Sequence, residues 1–396
     1  MSANTRQYYW EGIQGQHSVK NILSGFLDSD RKPQAIIISG LKGVGKDFLA
    51  IRFANLLNKH LHESHFDSGM DSMFGDESSA EMSFQEPFFN SHDKLYIKLI
   101  CALPTGKNES SDDKPLDKLS AADFKLVKEE LEARNQNPYH RIQIPHANDI
   151  RINSIRDITR YFSTSMEPGV YRSVIISNAE QMNEAAQNAL LKNLEEPPAN
   201  SLFILTTSDA SALKETIRSR CWIIPAEPLK PEEIAHILRH YFDFDPMEAQ
   251  EIAPFAGGSL DSALHLAEAG IEEIIQKTIV ILRMSMGQKF ATALTELEAF
   301  IKGEDRKNVA YLIRFMLYWL NDFERYRRGE KILYYQEHRD TFEKFFQRFH
   351  DINLLTVMDR LEYIESLLQN NNANLNIALT NVILELASIT NDVLKK

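Results

Sequence analysis

A strand, a glycine-rich loop and a helix follow one another near the start of this sequence, and this order constrains the fold more than any other feature. The β-branched run Ala35–Ser39 predicts the strand, and the apolar stretch at residues 47–61 predicts the helix. Between them, Gly40 to Lys46 matches the pattern G-x-x-x-x-G-K, in which backbone N–H groups surround a phosphate and the lysine reaches its oxygens. The sequence therefore predicts the phosphate-binding loop (P-loop) of an α/β domain. The residues predicted to contact the phosphates are Gly40, Gly43, Gly45 and Lys46.

The residue after the lysine departs from this pattern. P-loop enzymes carry Ser or Thr there, whose hydroxyl holds Mg²⁺, whereas this chain has Asp47. A carboxylate about 4 Å from a phosphate oxygen is repelled by about 4 kcal/mol at an effective dielectric constant of about 20. Direct ligation of Mg²⁺ by Asp47 would offset part of this repulsion. We therefore expect ATP or ADP to bind weakly to a degenerate loop that includes Asp47, and we expect little Mg²⁺ binding.

The strand predicted at residues 172–177 shows a second departure. A hydrolase of this class carries acidic residues at the end of such a strand, where they hold Mg²⁺ and orient the attacking water. Ser177 and Asn178 stand at those places, and Glu180, beyond the strand end, is interpreted as a solvated residue at a helix start. Two parts of the hydrolytic machinery are altered, so the sequence predicts little or no intrinsic ATPase activity. An enzyme that uses Asp47 as a metal ligand remains the alternative.

Composition limits the classes of protein to which this chain can belong. Its 396 residues suggest two or three domains, and no apolar run approaches the roughly 20 residues of a membrane span. The N-terminal residues lack an apolar signal core, so we expect a cytoplasmic protein. The net charge of −12 argues against a free-standing nucleic-acid-binding protein. Cys101 and Cys221 are the only cysteines, which argues against a disulfide framework and excludes a four-cysteine zinc site.

The rest of the first part of the chain alternates between regular and irregular patterns. Residues from about 62 to 143 are acidic and serine-rich without periodicity, and we interpret them as a partly mobile insertion. Beyond it, a helix at 184–196 lies between strands at 172–177 and 201–207, which continues the α/β pattern.

The last part of the chain reads as helical throughout. Pro225–Pro231 has the composition of a linker, and amphipathic helices follow it to the end. The apolar stripes at 312–319 and 375–386 exceed what a small helical domain needs to cover, so we expect them to contact other subunits. The predicted domains are residues 1–225, 226–270 and 271–396.

The run from Asn183 to Cys221, which contains "NALLKNLEEPP" followed by "TIRSRC", resembles the signature of bacterial clamp-loader subunits of the AAA+ class. The stretch from Ile13 to Lys46 resembles the same family. The resemblance implies an AAA+ P-loop domain, a small helical lid and an all-α C-terminal collar that serves oligomerisation. It also implies a subunit of a bacterial replicative DNA polymerase III holoenzyme that helps to load a sliding clamp onto primed DNA.

This family contains two kinds of subunit, and three sites distinguish them in this sequence. Motor subunits carry Gly-Lys-Thr, an Asp-Glu pair, an arginine in the lid and usually four zinc-binding cysteines, whereas stator-like delta-prime subunits lack parts of this equipment. This chain has Asp47, then Ser177-Asn178 and, where the lid arginine would fall, Asp261. The resemblance therefore implies a non-hydrolysing, delta-prime-like subunit without zinc. A motor-type subunit and an AAA+-derived adaptor outside replication remain the alternatives.

In this family, the Ser-Arg-Cys motif, found here at residues 219–221, carries an arginine that takes part in ATP hydrolysis by the neighbouring subunit. In ring ATPases an arginine from one subunit reaches the γ-phosphate bound by its neighbour and stabilises charge in the transition state. The resemblance assigns this role, an arginine finger acting in trans, to Arg220. It also places Thr206 and Thr207, at the end of a central strand, where the family has a polar sensor of the γ-phosphate; Thr207 is taken as the sensor-like residue, and a strand-capping role is equally open.

The resemblance also implies partners for this chain. They are clamp-loader ATPase subunits and a delta-like subunit in a hetero-oligomeric ring, the sliding clamp and, through the complex, primed DNA, with no membrane. Arg151, Arg156 and Arg160 lie together on a predicted helical region, where they could contact DNA phosphates or form a solvated face.

Overall fold

The computed structural model describes residues 9–29, 31–66, 96–164, 170–301, 306–349, 352–369 and 374–394. The chain divides into two compact units. The first comprises Met1–Pro246 and Gly258–Asp261, and the second comprises Met247–Gly257 and Ser262–Lys396. The three domains predicted from the sequence, with boundaries at residues 225 and 270, stay a prediction.

The first unit contains a five-stranded parallel sheet with the strand order β2-β3-β4-β1-β5. The strands are β1 (Ala35–Ser39), β2 (Ile97–Ile100), β3 (Arg172–Ile176), β4 (Ser201–Thr207) and β5 (Trp222–Pro225). The helices are α1 (His17–Asp28), α2 (Lys46–Phe66), α3 (Ala121–Gln136), α4 (Ile152–Ser163), α5 (Glu184–Glu195), α6 (Glu215–Arg218) and α7 (Pro231–Tyr241). Strands and helices alternate around a parallel sheet, so the predicted α/β class is confirmed.

Strand β1 lies in the core of the first unit. Its isoleucines at 36–38 are fully buried, as expected for an inner strand of a parallel sheet, which is covered on both faces. The register pairs Ser39 with Thr207, so β1 and β4 end at the same edge of the sheet. The P-loop follows β1, and Ser177 follows β3. The parallel arrangement therefore brings the loop and the predicted catalytic strand ends to one edge, where sites form in open α/β sheets.

The insertion contains regular structure that the sequence pattern did not reveal. Residues 62–143 show no periodicity, yet α2 runs on to Phe66, and both β2 and α3 lie within this range. Strand β2 has four residues at the sheet edge, and α3 buries only Val127 and Arg134, so neither produces a clear apolar pattern. The serine-rich part at residues 67–95 lies outside the described residues.

The regular elements of the second unit, among its described residues, are all helices, as predicted for the C-terminal part of the chain. Its helices are α8 (Pro246–Phe255), α9 (Leu260–Ala269), α10 (Ile271–Met286), α11 (Phe290–Ile301), α12 (Arg306–Arg327), α13 (Arg339–Arg348), α14 (Leu355–Gln369) and α15 (Leu375–Leu394). The first residues of α8 and α9 belong to the first unit.

The apolar stripe on α12, predicted as an assembly surface, lies inside the second unit. Leu312, Phe315 and Trp319 are at most 3% exposed, and the ring of Trp319 lies 5.1 Å from that of Phe342. The expectation that this stripe contacts other subunits was therefore wrong, because the unit needs it for its own core. On α15 the result differs, since Ile377 is 62% exposed.

Three further observations restrict the kinds of site that the described residues can form. None of their helices is both long enough and apolar enough to cross a membrane. In the same part of the chain, no three His, Cys, Asp or Glu side chains come together as metal ligands would. Cys101 and Cys221 carry free thiols, and burial raises the pKa of each to about 12. Both thiols are therefore protonated at neutral pH and are poor nucleophiles.

Candidate functional site

The lysine of the P-loop is hydrogen-bonded to the backbone of the same loop. Lys46, the first residue of α2, is 6% exposed, and its Nζ donates hydrogen bonds to the carbonyl oxygens of Gly40 at 2.8 Å and Leu41 at 2.7 Å. Burial lowers the pKa of Lys46, although the negative charges of Asp47 and Glu180 oppose this shift. The ammonium is therefore satisfied by the backbone of the loop itself.

The three loop glycines each lie against another part of the first unit. A Cβ at Gly40 would lie 2.7 Å from a carbonyl oxygen just after β5, and one at Gly43 would lie 2.5 Å from the backbone nitrogen of Asp261. A Cβ at Gly45 would lie 3.2 Å from the ring of Tyr139. Gly43 and Gly45 also have φ angles of +77° and +87°, which residues with a side chain rarely adopt. Close packing and backbone conformation therefore both require glycine here.

Asp47 is the centre of a largely buried polar network. Its Oδ2 accepts a hydrogen bond from the hydroxyl of Ser177 at 2.6 Å, and its Oδ1 accepts one from the hydroxyl of Thr206 at 2.5 Å. Nη2 of Arg134, in the last turn of α3, lies 2.9 Å from Oδ2. The side chains of Arg134 and Asp47 are 8% and 15% exposed. Both carboxylate oxygens are thus engaged by the protein.

The carboxyl group of Asp47 is ionised in these surroundings. Burial acts to raise its pKa, but the guanidinium of Arg134 and the hydrogen bonds from Ser177 and Thr206 outweigh burial, so the pKa lies below its ordinary value of 3.8. Arg134 and Asp47 therefore form a charged pair at the position where the sequence pattern of a P-loop enzyme has the Mg²⁺-binding hydroxyl.

Residues 134–141, here called the cap segment, begin in the last turn of α3 and lie against the P-loop. The ring of Tyr139 is 5.5 Å from that of Phe48 and 5.0 Å from that of Tyr241. The hydroxyl of Tyr139 accepts a hydrogen bond from the backbone nitrogen of Gln14 at 2.9 Å. Contacts with α2, with α7 and with the residues before α1 therefore hold the cap segment in place.

Asp261, at the position where the resemblance expects a lid arginine, is also paired with the cap segment. Nη1 of Arg141 donates a hydrogen bond to its Oδ1 and forms an ion pair with it. The Arg141 and Asp261 side chains are 41% and 21% exposed, so water screens this pair more than the pair at Asp47. Both aspartates that depart from the motor pattern are thus neutralised by arginines of one short segment.

Two of the other predicted residues lie at the end of β4 or just after the end of β3. Thr207 is fully buried, and its hydroxyl accepts a hydrogen bond from the backbone nitrogen of Asp209 at 3.1 Å, which is a strand-capping contact. Its neighbour Thr206 is the one that reaches the P-loop. Glu180 accepts hydrogen bonds from the backbone nitrogen and the hydroxyl of Ser208, at 3.2 and 2.6 Å. The interpretation of Glu180 as solvated was wrong, because the turn after β3 directs it toward the end of β4.

Arg220 lies in the turn between α6 and β5. Its Nη1 donates a hydrogen bond to the carbonyl oxygen of Thr216 at 2.9 Å, and its Nη2 lies 2.9 Å from Oε1 of Glu195 at the end of α5. The Arg220 and Glu195 side chains are 36% and 51% exposed. In the described part of the chain these are its hydrogen-bond partners, and neither belongs to the P-loop. The structure therefore does not bring Arg220 to the loop of its own chain.

The candidate DNA-contacting arginines are paired with the insertion. Nη1 of Arg151 lies 2.9 Å from a carboxylate oxygen of Glu109, and Nη1 of Arg156 lies 2.6 Å from one of Asp112. Arg160 donates a hydrogen bond to the backbone carbonyl oxygen of Asp112 at 2.7 Å. The acidic insertion thus neutralises part of the basic surface of α4.

Sequence reasoning missed Arg134, Tyr139 and Arg141. Helix α3 has little apolar periodicity, so nothing in its sequence shows that Arg134 faces inward. A usable signal was nevertheless present in the charges of Asp47 and Asp261. Because a buried carboxylate needs a partner, each of these substitutions requires a cation from elsewhere in the chain.

The described residues do not fit a magnesium–nucleotide complex. Mg²⁺ requires oxygen ligands in near-octahedral geometry. Here the oxygens of Asp47 are engaged by two hydroxyls and a guanidinium at 2.5 to 2.9 Å, and Lys46 is engaged by loop carbonyls. The Asp47 carboxylate at the metal position and the Lys46 ammonium are therefore both engaged in contacts within the chain.

Comparisons with known proteins find that parts of this chain are similar to subunits of DNA polymerase III. The family model described as "DNA polymerase III, delta subunit" matches residues 92–230. The delta' subunit of DNA polymerase III from Pseudomonas aeruginosa is 32% identical over 147 residues, which are 36% of this chain and 44% of that protein. The delta' subunit from Haemophilus influenzae is 34% identical over 93 residues, covering 24% and 28% of the two chains. The gamma subunit from Buchnera aphidicola is 33% identical over 132 residues, covering 32% and 36%.

These matches are partial, and the chain spans less than half of the length of each of these relatives. Among solved structures, a DNA polymerase III gamma subunit-related protein from Thermotoga maritima is similar over 94% of this chain and 99% of its own, at 15% identity and a TM-score of 0.36. The sequence matches include delta' and gamma subunits alike. Residues 92–230 match the family model of the DNA polymerase III delta subunit, and the predicted resemblance to clamp-loader subunits of the AAA+ class is confirmed.

Proposed function

We propose that this chain is a clamp-loader subunit of the delta-prime kind in a bacterial DNA polymerase III holoenzyme. In this role it joins ATPase subunits and a delta-like subunit in a hetero-oligomeric ring that places a sliding clamp on primed DNA. It does not hydrolyse ATP itself, and it supplies Arg220 to the nucleotide of a neighbouring subunit.

The observation that carries this proposal is the state of Asp47. Its carboxylate is paired with Arg134 and bonded to Ser177 and Thr206. A P-loop enzyme has a hydroxyl and Mg²⁺ at this point. A committed carboxylate at the metal position, together with Ser177 and Asn178 in place of an Asp-Glu pair, removes the groups with which a P-loop enzyme usually holds the metal and orients the attacking water.

The surroundings of Arg220 support the second half of the proposal. Its guanidinium is half-exposed, and the partner carboxylate of Glu195 is more exposed still. Exposed pairs of this kind are worth at most about 1 kcal/mol, so a phosphate of a neighbouring subunit can replace Glu195 at little cost. An arginine that reaches the γ-phosphate stabilises the charge that develops during phosphoryl transfer.

A motor-type ATPase is the second candidate function, and Glu180 favours it. Its Oε2 is buried without a hydrogen-bond partner among the described residues, and its charge acts on Lys46. A carboxylate with free acceptor capacity beside a P-loop lysine is a group that can orient water. The pairing of Asp47 argues against this candidate, because it removes the metal position.

The isolated chain separates the two candidates. We expect its ATP turnover to equal that of the Lys46→Ala variant, because Asp47 at the metal position is paired with Arg134. A rate that depends on both Lys46 and Glu180, measured with Lys46→Ala and Glu180→Gln, would replace the first candidate by the second.

The action of Arg220 in trans is tested in the reconstituted complex. Loss of an arginine finger lowers phosphoryl transfer about 10³–10⁵-fold at the site it serves, so Arg220→Ala should remove at least one site's share of the clamp- and DNA-stimulated ATPase rate. Lysine should substitute poorly, since it lacks the planar fork. The matched control is Arg239→Ala, which removes an exposed arginine of α7. Equal rates for wild type and Arg220→Ala, with assembly verified by gel filtration, exclude Arg220 from the mechanism.

A further inference from the structure

The cap segment lies against the P-loop at Asp47 and Gly45, and its Arg141 is paired with Asp261, which lies against Gly43. Arg134 binds the carboxylate at the metal position, and Tyr139 lies against Gly45. Arg141 binds Asp261, whose backbone nitrogen lies against Gly43. One stretch of chain therefore contacts the metal position and Gly45 directly, and it is linked to Gly43 through Asp261.

Arg134 supplies a permanent positive charge beside the carboxylate of Asp47. A guanidinium is always charged and binds carboxylates with a fixed planar geometry, so it can neutralise Asp47 permanently. Mg²⁺ in P-loop proteins is instead bound and released with the nucleotide. Because Arg134 is 7% exposed and Asp47 is ionised, removal of either partner leaves an unpaired charge in the interior.

We propose that the cap segment is a built-in occupant of the P-loop, in which Arg134 takes the place of the divalent cation and holds the loop in one conformation without nucleotide. This inference goes beyond the proposed function, because it concerns the isolated chain and holds or fails whether or not Arg220 acts in trans.

The first test uses the unmodified chain. A ligand that binds only the folded state raises the melting temperature, by an amount that grows with the logarithm of the ratio of its concentration to its Kd. We expect millimolar ATP with MgCl₂ to leave the melting temperature unchanged and to give no heat in titration calorimetry. Saturable binding of ATP that requires Mg²⁺ would overturn the proposal, and this measurement needs no variant that could fail to fold.

The second test exchanges the internal cation for an external one. Arg134→Ala leaves the oxygens of Asp47, Ser177 and Thr206 together, a ligand set that suits a hard divalent cation. We expect this variant to melt about 6 °C or more below the wild type, since breaking a buried pair is strongly destabilising. We also expect MgCl₂ alone, without nucleotide, to restore part of that loss.

The double variant Arg134→Ala with Asp47→Asn completes this test. It lacks the buried charge, so it should melt above the single Arg134→Ala variant and should not respond to MgCl₂. The control is Arg156→Ala, whose pair with Asp112 is exposed and whose loss should leave the melting temperature unchanged. An Arg134→Ala variant that is as stable as Arg156→Ala, or that is indifferent to MgCl₂, would show that Arg134 does not serve as the internal cation.

Discussion

Arg134 and Arg220 each place a guanidinium nitrogen 2.9 Å from a carboxylate oxygen, yet the two pairs lie in different surroundings. At the P-loop, the side chains of Arg134 and Asp47 are 8% and 15% exposed. In the Ser-Arg-Cys turn, those of Arg220 and Glu195 are 36% and 51% exposed. Equal distances therefore do not mean equal roles, because solvent decides how firmly each pair holds.

This difference in burial explains how one chain can contain an arginine that stays bound to its own carboxylate, Arg134, and an arginine that can exchange its carboxylate for another ligand, Arg220. Breaking a buried pair costs about 3–5 kcal/mol, because one charge remains in the interior without a partner. An exposed pair contributes at most about 1 kcal/mol, because water replaces either partner. Arg134 is thus bound within its own unit, whereas Arg220 can be transferred to a ligand of another subunit.

The largest effect is expected when the buried pair is broken from the carboxylate side. Asp47→Ala should lower the free energy of unfolding of the first unit by about 3–5 kcal/mol, because Arg134 then stays buried without its partner. Urea unfolding followed by tryptophan fluorescence measures this change. In a Trp319→Phe background the remaining tryptophans, Trp10 and Trp222, lie in the first unit, so the signal reports that unit alone. A loss below 1 kcal/mol would show that the two pairs do not differ as burial implies.

A smaller effect is expected from acid. The folded state holds the pKa of Asp47 below 3.8, so ionised Asp47 stabilises the fold above that pH, and this contribution is lost as the pH falls through the folded-state pKa. The wild type should therefore lose stability below about pH 4 more steeply than Asp47→Asn, which cannot titrate at this position. The measurement is the urea midpoint of both proteins from neutral pH to pH 3. Parallel curves would mean that the ionisation of Asp47 contributes nothing to folding.

The smallest effect is expected at the exposed pair. Glu195→Ala should change the free energy of unfolding by less than about 1 kcal/mol, because water solvates Arg220 as well as the carboxylate does. The same urea experiment, in the same Trp319→Phe background, makes the comparison with Asp47→Ala direct. A loss above 2 kcal/mol would mean that Arg220 is fixed in its turn, which would argue against its transfer to a neighbouring subunit.

Local patterns predicted the parts of the fold in which a residue's neighbours in sequence decide its state. Strands β1 and β4 have the predicted bounds because their apolar runs are continuous, and the P-loop lies between β1 and α2 as its motif requires. Patterns failed in the insertion, where β2 has four residues and α3 buries two. Elements that are short, or that bury few residues, are stabilised by what they pack against, so their own sequences carry little signal.

The sequence by itself determined that Asp47, Ser177 and Asp261 depart from the pattern of an ATPase, because residue identity at a motif position is read directly. Only the tertiary structure decided what replaced that pattern. Arg134 and Arg141 are far along the chain from Asp47 and Asp261, and the fold alone brings them within ion-pair distance. Burial, which separates a fixed arginine from an available one, is likewise a property of the packed interior. Neither proximity nor solvent exclusion is encoded at any single position, so both emerge only when the chain is folded.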